Sequence, residues 1–406
     1  MYLINAVPYV CFVLFFFFLS FPLVSSRKRA SLILVRNYKI LQYFSLTFLF
    51  LFFIGLRGYI WTDFALYKEC FDLLPTIDSS RYEYSIFFTS KFKTWEKGYL
   101  LYTFLLKSIF RNYFVCQFVS TIINFSIMLY VFKRNCRNNV FLCFVIFFLF
   151  SGFFILINLQ RNVVSILLFW LSIEQKREGK NLNYYVLNIL GISFHSSSFL
   201  FLIIGPVINR RISKKFLFTL FILGNCIYLL EVQWLRVFLP TITFVLPSGI
   251  RHYIELYLNS VIFSRSGNWG ISIGYLERFF SFLIILFFSD KIDKKYNCRA
   301  YINCFFLFIF AYLYGSEIVI VIERVSLFFT CGYCIVYTHI FSLLNQEKKC
   351  FFIIIMFFYI ILKITLIGGA NGATKYETCF SSTSYEEATI RKETYMLEEH
   401  NKILEN

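Results

Sequence analysis

Long apolar runs alternate with compact basic clusters along this chain. Runs such as residues 141–157 and 351–362 are continuous in their hydrophobicity, the pattern of helices buried on all sides rather than of half-buried strands. Between the runs stand six clusters of Lys and Arg: Arg27-Lys28-Arg29 with Arg36 and Lys39, Lys133-Arg134-Arg137, Lys176-Arg177-Lys180, Arg210-Arg211-Lys214-Lys215, Lys291-Lys294-Lys295-Arg299 and Lys348-Lys349. Short basic loops stay on the cytoplasmic side of a membrane. Each stretch between two clusters must therefore cross an even number of times. The pattern predicts an all-α, polytopic integral membrane protein with about twelve transmembrane helices.

Residues 1–25 read as the first span, with the N-terminus outside, and not as a cleaved signal, because their charges follow the apolar run. Residues 41–56 run outward into a large external segment, 57–97, and 98–110 form a short interfacial helix. Residues 113–132 return, 140–157 go out and 163–173 come back. Residues 216–235 lead to a second large external segment, about 236–270. Residues 271–289 return, 300–320 go out, 325–344 return and 351–367 leave the tail outside. Residues 1–367 are thus expected to form a single transmembrane helical domain. Residues 368–406 are an external tail of alternating charge, partly helical or disordered.

One stretch does not fit two ordinary crossings. Residues 182–208 lie between two cytoplasmic clusters but number only 27, about 40 Å of helix. Parity demands two short helices or a hairpin whose tip, Phe194-His195-Ser196-Ser197-Ser198, lies inside the membrane. Non-helical backbone at that depth needs a polar cavity around it.

Composition changes this picture little. The chain has 406 residues, 58% of them hydrophobic, with a mean hydropathy of +0.66, which excludes a soluble globule. The net charge of +17 maps onto the loop clusters, so it marks orientation, and no nucleic-acid partner is expected. The twelve cysteines are scattered, and Cys331-Gly-Tyr-Cys334 lies in an apolar run, where cysteine packs as a small hydrophobe.

The candidate chemistry lies among ionisable residues in or beside the membrane, which are costly there and mark sites or paired bridges. Arg57, Arg161, Arg278 and Arg324 concentrate on the predicted outer half. Their guanidinium forks match phosphate oxygens, and several meeting in one external cavity would suit a diphosphate. Arg57 could equally snorkel, and Arg278 and Arg324, each preceded by a Glu, could serve as structural ion pairs. His195, flanked by serines, is a candidate general base, proton relay or phosphate donor. Asp63 and Glu96 are external carboxylates able to activate a sugar hydroxyl. Tyr67, Arg251 and Tyr253 are further candidate substrate contacts in the external segments, the two tyrosines equally suiting the interfacial aromatic belt. Trp61, Trp95, Tyr99 and Trp269 suit either sugar stacking or the interfacial aromatic belt. Lys363, inside the last run, is expected to snorkel or pair. No nucleotide-binding loop and no metal-binding motif is visible, so no cofactor is expected and the substrate must carry its own activation.

These elements resemble, in order, those of the EpsG family within the Wzy-type polysaccharide polymerases. Gly55-Leu-Arg57-Gly58 with Asp63 and Tyr67 resembles that family's R-G-…-D-…-Y element, and Trp95-Glu96-Lys97-Gly98-Tyr99 its E-x-G-Y element. Asn158-Leu-Gln160-Arg161-Asn162 resembles N-x-x-R-Q, with Asn162 where Gln is usual. Phe194-His195-Ser196-Ser197 resembles F-H-x-S-A. Glu323-Arg324 is similar to a recurring late Arg, and Lys375-Tyr376 faintly to a terminal Tyr-rich element. The resemblance implies a GT-C-like glycosyltransferase of the bacterial inner membrane that polymerises repeat units carried on undecaprenyl diphosphate, alongside a chain-length regulator. It assigns the diphosphate to Arg161 and Arg324 first, then Arg57 and Arg278, with His195 or Glu96 taking the hydroxyl proton. An O-antigen ligase, and a transporter or flippase for lipid-linked sugars, are the rival expectations.

Overall fold

The computed structural model describes residues 3–21, 32–137, 139–243, 270–369, 372–381 and 384–405. Every regular element among them is helical, with one isolated antiparallel bridge between Arg57 and Thr378. Two compact units emerge: Met1–Leu202 with Phe341–Leu397, and Ile203–Ile340 with Glu398–Asn406.

The first unit begins with α1 (Leu3–Leu19) and α2 (Leu32–Phe50), which a π-helical turn extends to Gly55. The external segment folds as α3 (Phe64–Leu73), α4 (Arg81–Thr89) and α5 (Lys97–Phe110). Ser80 and Glu83 start α4 with a reciprocal capping box. Lys107 closes α3 by donating to the carbonyls of Phe71, Asp72 and Leu74, where the helix dipole favours a cation. Then come α6 (Tyr113–Asn135), α7 (Val140–Phe147), α8 (Gln160–Arg177), α9 (Asn181–Phe194) and α10 (Phe199–Ile204). Asn112 starts α6 by accepting from the amides of Phe114 (2.9 Å) and Val115 (3.2 Å).

α6 and α8 run parallel. At one end Gln160 donates to the Tyr113 hydroxyl (3.1 Å). At the other, the fully buried Glu174 accepts from Asn135 and pairs with Arg134 and Arg177, while Arg134 and Lys180 pair with Glu178. Two of the basic clusters thus share one end of the unit, as parity requires. Lys133 reaches the Tyr43 ring of α2 at that same end. Residues 140–157 depart from the single span expected of them. The helix breaks at Phe150 and Ser151, Ser151 adopting φ 75°. Ser-Gly is a weak helix former, and Gly152 lies so close to Phe147 that a β-carbon would come within 2.7 Å of it. Lys363 sits over the Phe150 and Tyr359 rings, one of the two outcomes, snorkelling or pairing, expected of its position.

The chain reverses at His195. α9 runs back along α8, with Asn188 donating to Ser172 (2.9 Å) and Ser165 donating to the Gly191 carbonyl (2.9 Å). Tyr184 then donates to the Phe201 carbonyl (2.6 Å). Two short helices with His195 between them is the arrangement that 27 residues allow.

The second unit comprises α11 (Lys214–Leu229), α12 (Trp234–Thr243), α13 (Ile273–Tyr296), α14 (Arg299–Gly315), α15 (Val319–Phe328) and most of α16 (Thr330–Leu343). The sequence pattern predicts one helix over 216–235. Instead α11 stops at Leu229, Glu231 turns through φ 55° and α12 leaves at 101°. The buried Glu317 holds this corner by accepting from the amides of Leu235 (2.7 Å) and Arg236 (2.8 Å). At the basic end, Arg211 and Lys214 meet Asp290. α17 (Gln346–Gly368) and the start of α18 (Tyr385–Glu405) return the chain to the first unit.

Among the described residues, three helices, Asn37–Gly55, Tyr113–Asn135 and Gln346–Gly368, are long and apolar enough to cross a membrane, or up to five spans if two bent pairs each count once. Leu3–Leu19, Val140–Gly152 and Arg299–Gly315 are shorter apolar helices.

Candidate active site

At the end of the first unit opposite the Arg134–Glu178 cluster, four separated segments converge. The earliest follows α2. Its backbone pairs with the tail: Gly58 donates to the Glu377 carbonyl and Cys379 to the Leu56 carbonyl, both at 2.8 Å. A β-carbon on Gly58 would lie 3.0 Å from the Thr378 carbonyl oxygen, so glycine permits this approach. Tyr376 stacks on Phe53 at 4.1 Å between centroids and donates to its carbonyl. Arg391 clasps Glu377 with both forks at 3.0 Å.

The next turn is set by Asn158. Its carbonyl oxygen accepts from the amides of Thr62 (3.2 Å) and Asp63 (2.9 Å), fixing the start of α3. Tyr67 lies one turn beyond Asp63, so both occupy one face of the helix. Tyr67 is buried, and its hydroxyl accepts from the Arg161 amide at 3.5 Å. Burial pushes its pKa up to about 12, Asp63 adding to the rise and Arg161 opposing it.

Arg161 is held by the segment before α5. Its guanidinium lies 4.0 Å from the Trp95 ring centroid and donates to Glu96 at 2.8 Å. The two charged side chains are 23% and 20% exposed, so water still reaches this pair. A cation–π contact of this kind contributes about 0.5–2 kcal/mol and holds the fork flat against the ring.

The His195 segment reaches the same place through Gly98. A β-carbon on Gly98 would lie 2.2 Å from Ser193 Oγ and 2.7 Å from the Ser193 carbonyl oxygen, so α5 and the end of α9 touch backbone to backbone. Phe194 packs against Tyr102. His195 is buried, and its Nδ1 accepts from the Ser197 amide at 3.3 Å. A neutral ring with that acceptor carries its proton on Nε2. Ser165, one turn after Arg161 on α8, binds Ser198 and the Gly191 carbonyl, which ties the His195 turn to the Arg161 helix.

Arg57 lies behind this cluster. Its side chain is 3% exposed and donates to the Ile54 carbonyl at 2.5 Å. Burial lowers its pKa to about 10, against the favourable influence of Tyr113, Tyr376 and Tyr9, and it stays charged at neutral pH. It lines a cavity of about 50 Å³ together with Tyr67, Gln117, Asn124 and Gln160.

A protein-family model, the EpsG family, matches residues 40–378. The chain belongs to the EpsG family. Family members are Wzy-type polymerase-like membrane proteins, and this EpsG chain is accordingly a membrane protein of polysaccharide biosynthesis. No curated protein and no solved structure matches it. The EpsG match ends at Thr378, the residue that bridges to Arg57, so the family region takes in the tail segment that braces the site.

Asp63, Tyr67, Glu96, Arg161, His195 and Arg57 of the EpsG chain all lie in the first unit. In the second, Arg278 covers the Tyr312 ring at 3.4 Å, and Tyr312 hydrogen bonds to Tyr228 (2.9 Å). Arg324 is half-buried on α15, and Glu323 beside it is exposed. Arg251, Tyr253 and Trp269 lie outside the described residues. Sequence reasoning missed the bracing role of Asn158, the tail pairing and the buried Glu317. It also missed the polar stripe Gln117, Thr121 and Asn124 of α6, whose spacing in an apolar helix is a signal that would have found the cavity.

Proposed function

We propose that this protein polymerises undecaprenyl-diphosphate-linked oligosaccharide repeat units on the outer face of the bacterial inner membrane, with about twelve crossings. The observation that carries the reading is the Arg161 cluster: Trp95, Glu96, Tyr67 and the Asn158 turn, with the Gly98–Ser193 contact bringing in His195. These residues come from four segments distant in sequence, and they gather at the end of α6 and α8 remote from the basic clusters. The positive-inside rule turns that end outward.

The chemistry follows from the contacts. A diphosphate approaching Arg161 competes with Glu96 for the fork. As the phosphate takes the guanidinium, Glu96 is released beside the reacting hydroxyl and can accept its proton. Charge developing on the leaving diphosphate meets a guanidinium already fixed by Trp95, so little reorganisation is needed. His195, with its proton on Nε2, acts as a donor to a phosphate oxygen rather than as the base. Asp63 and Tyr67 offer polar contacts to the sugars. Arg278 and Arg324, with Arg251 and Tyr253, stay substrate-contact candidates.

Arg161→Ala tests this reading in cells. It should abolish polymer while the protein remains inserted at normal abundance, leaving single repeat units on the carrier. Near-normal glycan ladders in that variant would remove Arg161 from the reaction.

A further inference from the structure

Arg57 is a buried cation with no carboxylate against it among the described residues. Among the described residues its hydrogen bond goes to a backbone carbonyl, and the groups acting on it electrostatically are the phenols of Tyr113, Tyr376 and Tyr9, not carboxylates. A charge in that position is costly and marks a place that an anion visits. The cavity it lines has a second unfinished group. Asn124 is 7% exposed, lines the same cavity, and its Oδ1 has no hydrogen-bond partner among the described residues. An orphaned buried acceptor wants a donor.

Size narrows the ligand. A cavity of about 50 Å³ takes a few waters, at roughly 10–15 Å³ each, or one phosphate group, and no sugar. Protonation narrows it further. A terminal phosphate carries up to two charges and, with a second pKa near ~6, keeps a P–OH part of the time at neutral pH. It can offer oxygens to Arg57 and a proton to Asn124. A phosphate esterified on both sides has no proton to give and cannot enter end-on.

In the transfer, the acceptor hydroxyl oxygen bonds to the anomeric carbon. The bond from that carbon to the distal phosphate oxygen breaks, the electron pair stays on that oxygen, and the hydroxyl proton passes to Glu96. Until then the distal phosphate is capped by glycan; afterwards it is terminal. Resting on the polymerase reading, we infer that the Arg57 cavity receives the terminal phosphate of the departing polyprenyl diphosphate, a product site closed to the glycan-capped substrate. Tyr67 and Gln160 line it beside Arg161, so the leaving group has a short path from the fork that held it. Such a site binds the product and not the substrate, so it shifts the equilibrium towards transfer.

Binding to the purified full-length protein tests this, with undecaprenyl diphosphate, a monosaccharide-capped undecaprenyl diphosphate and inorganic diphosphate as probes. Arg57→Gln and the near-isosteric Asn124→Leu should each weaken uncapped undecaprenyl diphosphate by about tenfold or more and leave the capped lipid unchanged. Asn124→Leu keeps the test open if Arg57→Gln fails to fold. Equal weakening of both lipids would overturn the inference, as would no change in either, the result for a cavity that holds only water. Inorganic diphosphate competing as well as the lipid would assign the cavity to free phosphate and overturn it too. Binding is read without turnover, so failure here leaves elongation as a separate measurement, and failed elongation does not alter the comparison of capped with uncapped lipid.

Discussion

At the scale of single residues, the site turns on how Arg161 is held. A lysine at 161 would keep the charge but lose the flat face that stacks on Trp95 and the fork that spans Glu96 and a phosphate. Arg161→Lys should therefore lower the rate of glycan elongation by about tenfold or more while thermal unfolding in detergent stays unchanged. Wild-type elongation rates would mean that charge alone suffices. Tyr67 gives a prediction about pH. Its pKa is raised to about 12, so the neutral phenol is the favoured form below about 10, and ionisation matters only as pH climbs from there towards 12. Tyr67 thus stays a neutral phenol through the working range. Tyr67→Phe should reduce activity without shifting the pH–rate profile between about pH 6 and 9, and a lost limb in that profile would give Tyr67 an acid–base role.

At the scale of elements, the contact between α5 and the end of α9 joins two of the sequence motifs. Its backbone approach depends on Gly98. Gly98→Ala should cost about 1–3 kcal/mol of stability and should lower activity beyond what the loss of folded protein explains, because the His195 turn is pushed away from Glu96. Unchanged melting temperature and activity would show that the two elements give way freely. Much of this level was legible in the chain. The break at His195 followed from the shortness of residues 182–208 between two basic clusters. The helix over 113–135 followed from its apolar length. The corner after Leu229 and the kink at Ser151 did not: the first rests on Glu317, which lies far along the chain, and the second on the close approach of Phe147 to Gly152, a local packing that an apolar run does not announce. Hydropathy reports that a segment avoids water, not which distant carboxylate or ring will bend it.

At the scale of the molecule, charge and chemistry separate. In the first unit the Arg134, Arg177 and Lys180 network occupies one end, and the Arg161 cluster occupies the other. The alternation of basic loops announced this polarity, and the motifs named Tyr67, Glu96, Arg161 and His195, which gather in the first unit, whereas Arg278 and Arg324, expected beside them, belong to the second. The tail's part was harder to read. Residues 373–379 carry little hydrophobicity, and their role is a backbone pairing with Arg57 and Gly58 that no side-chain pattern encodes. The central claim is that this protein elongates a glycan on its lipid carrier. It is tested most directly by purified protein reconstituted with undecaprenyl-diphosphate-linked repeat units and no ion gradient, with lipid-linked products resolved by length. The account predicts a ladder of longer glycans on the same carrier, with undecaprenyl diphosphate released at each step and neither product formed by Arg161→Ala. Repeat units that stay single while crossing the liposome membrane, or that move once to a different lipid acceptor, would contradict it.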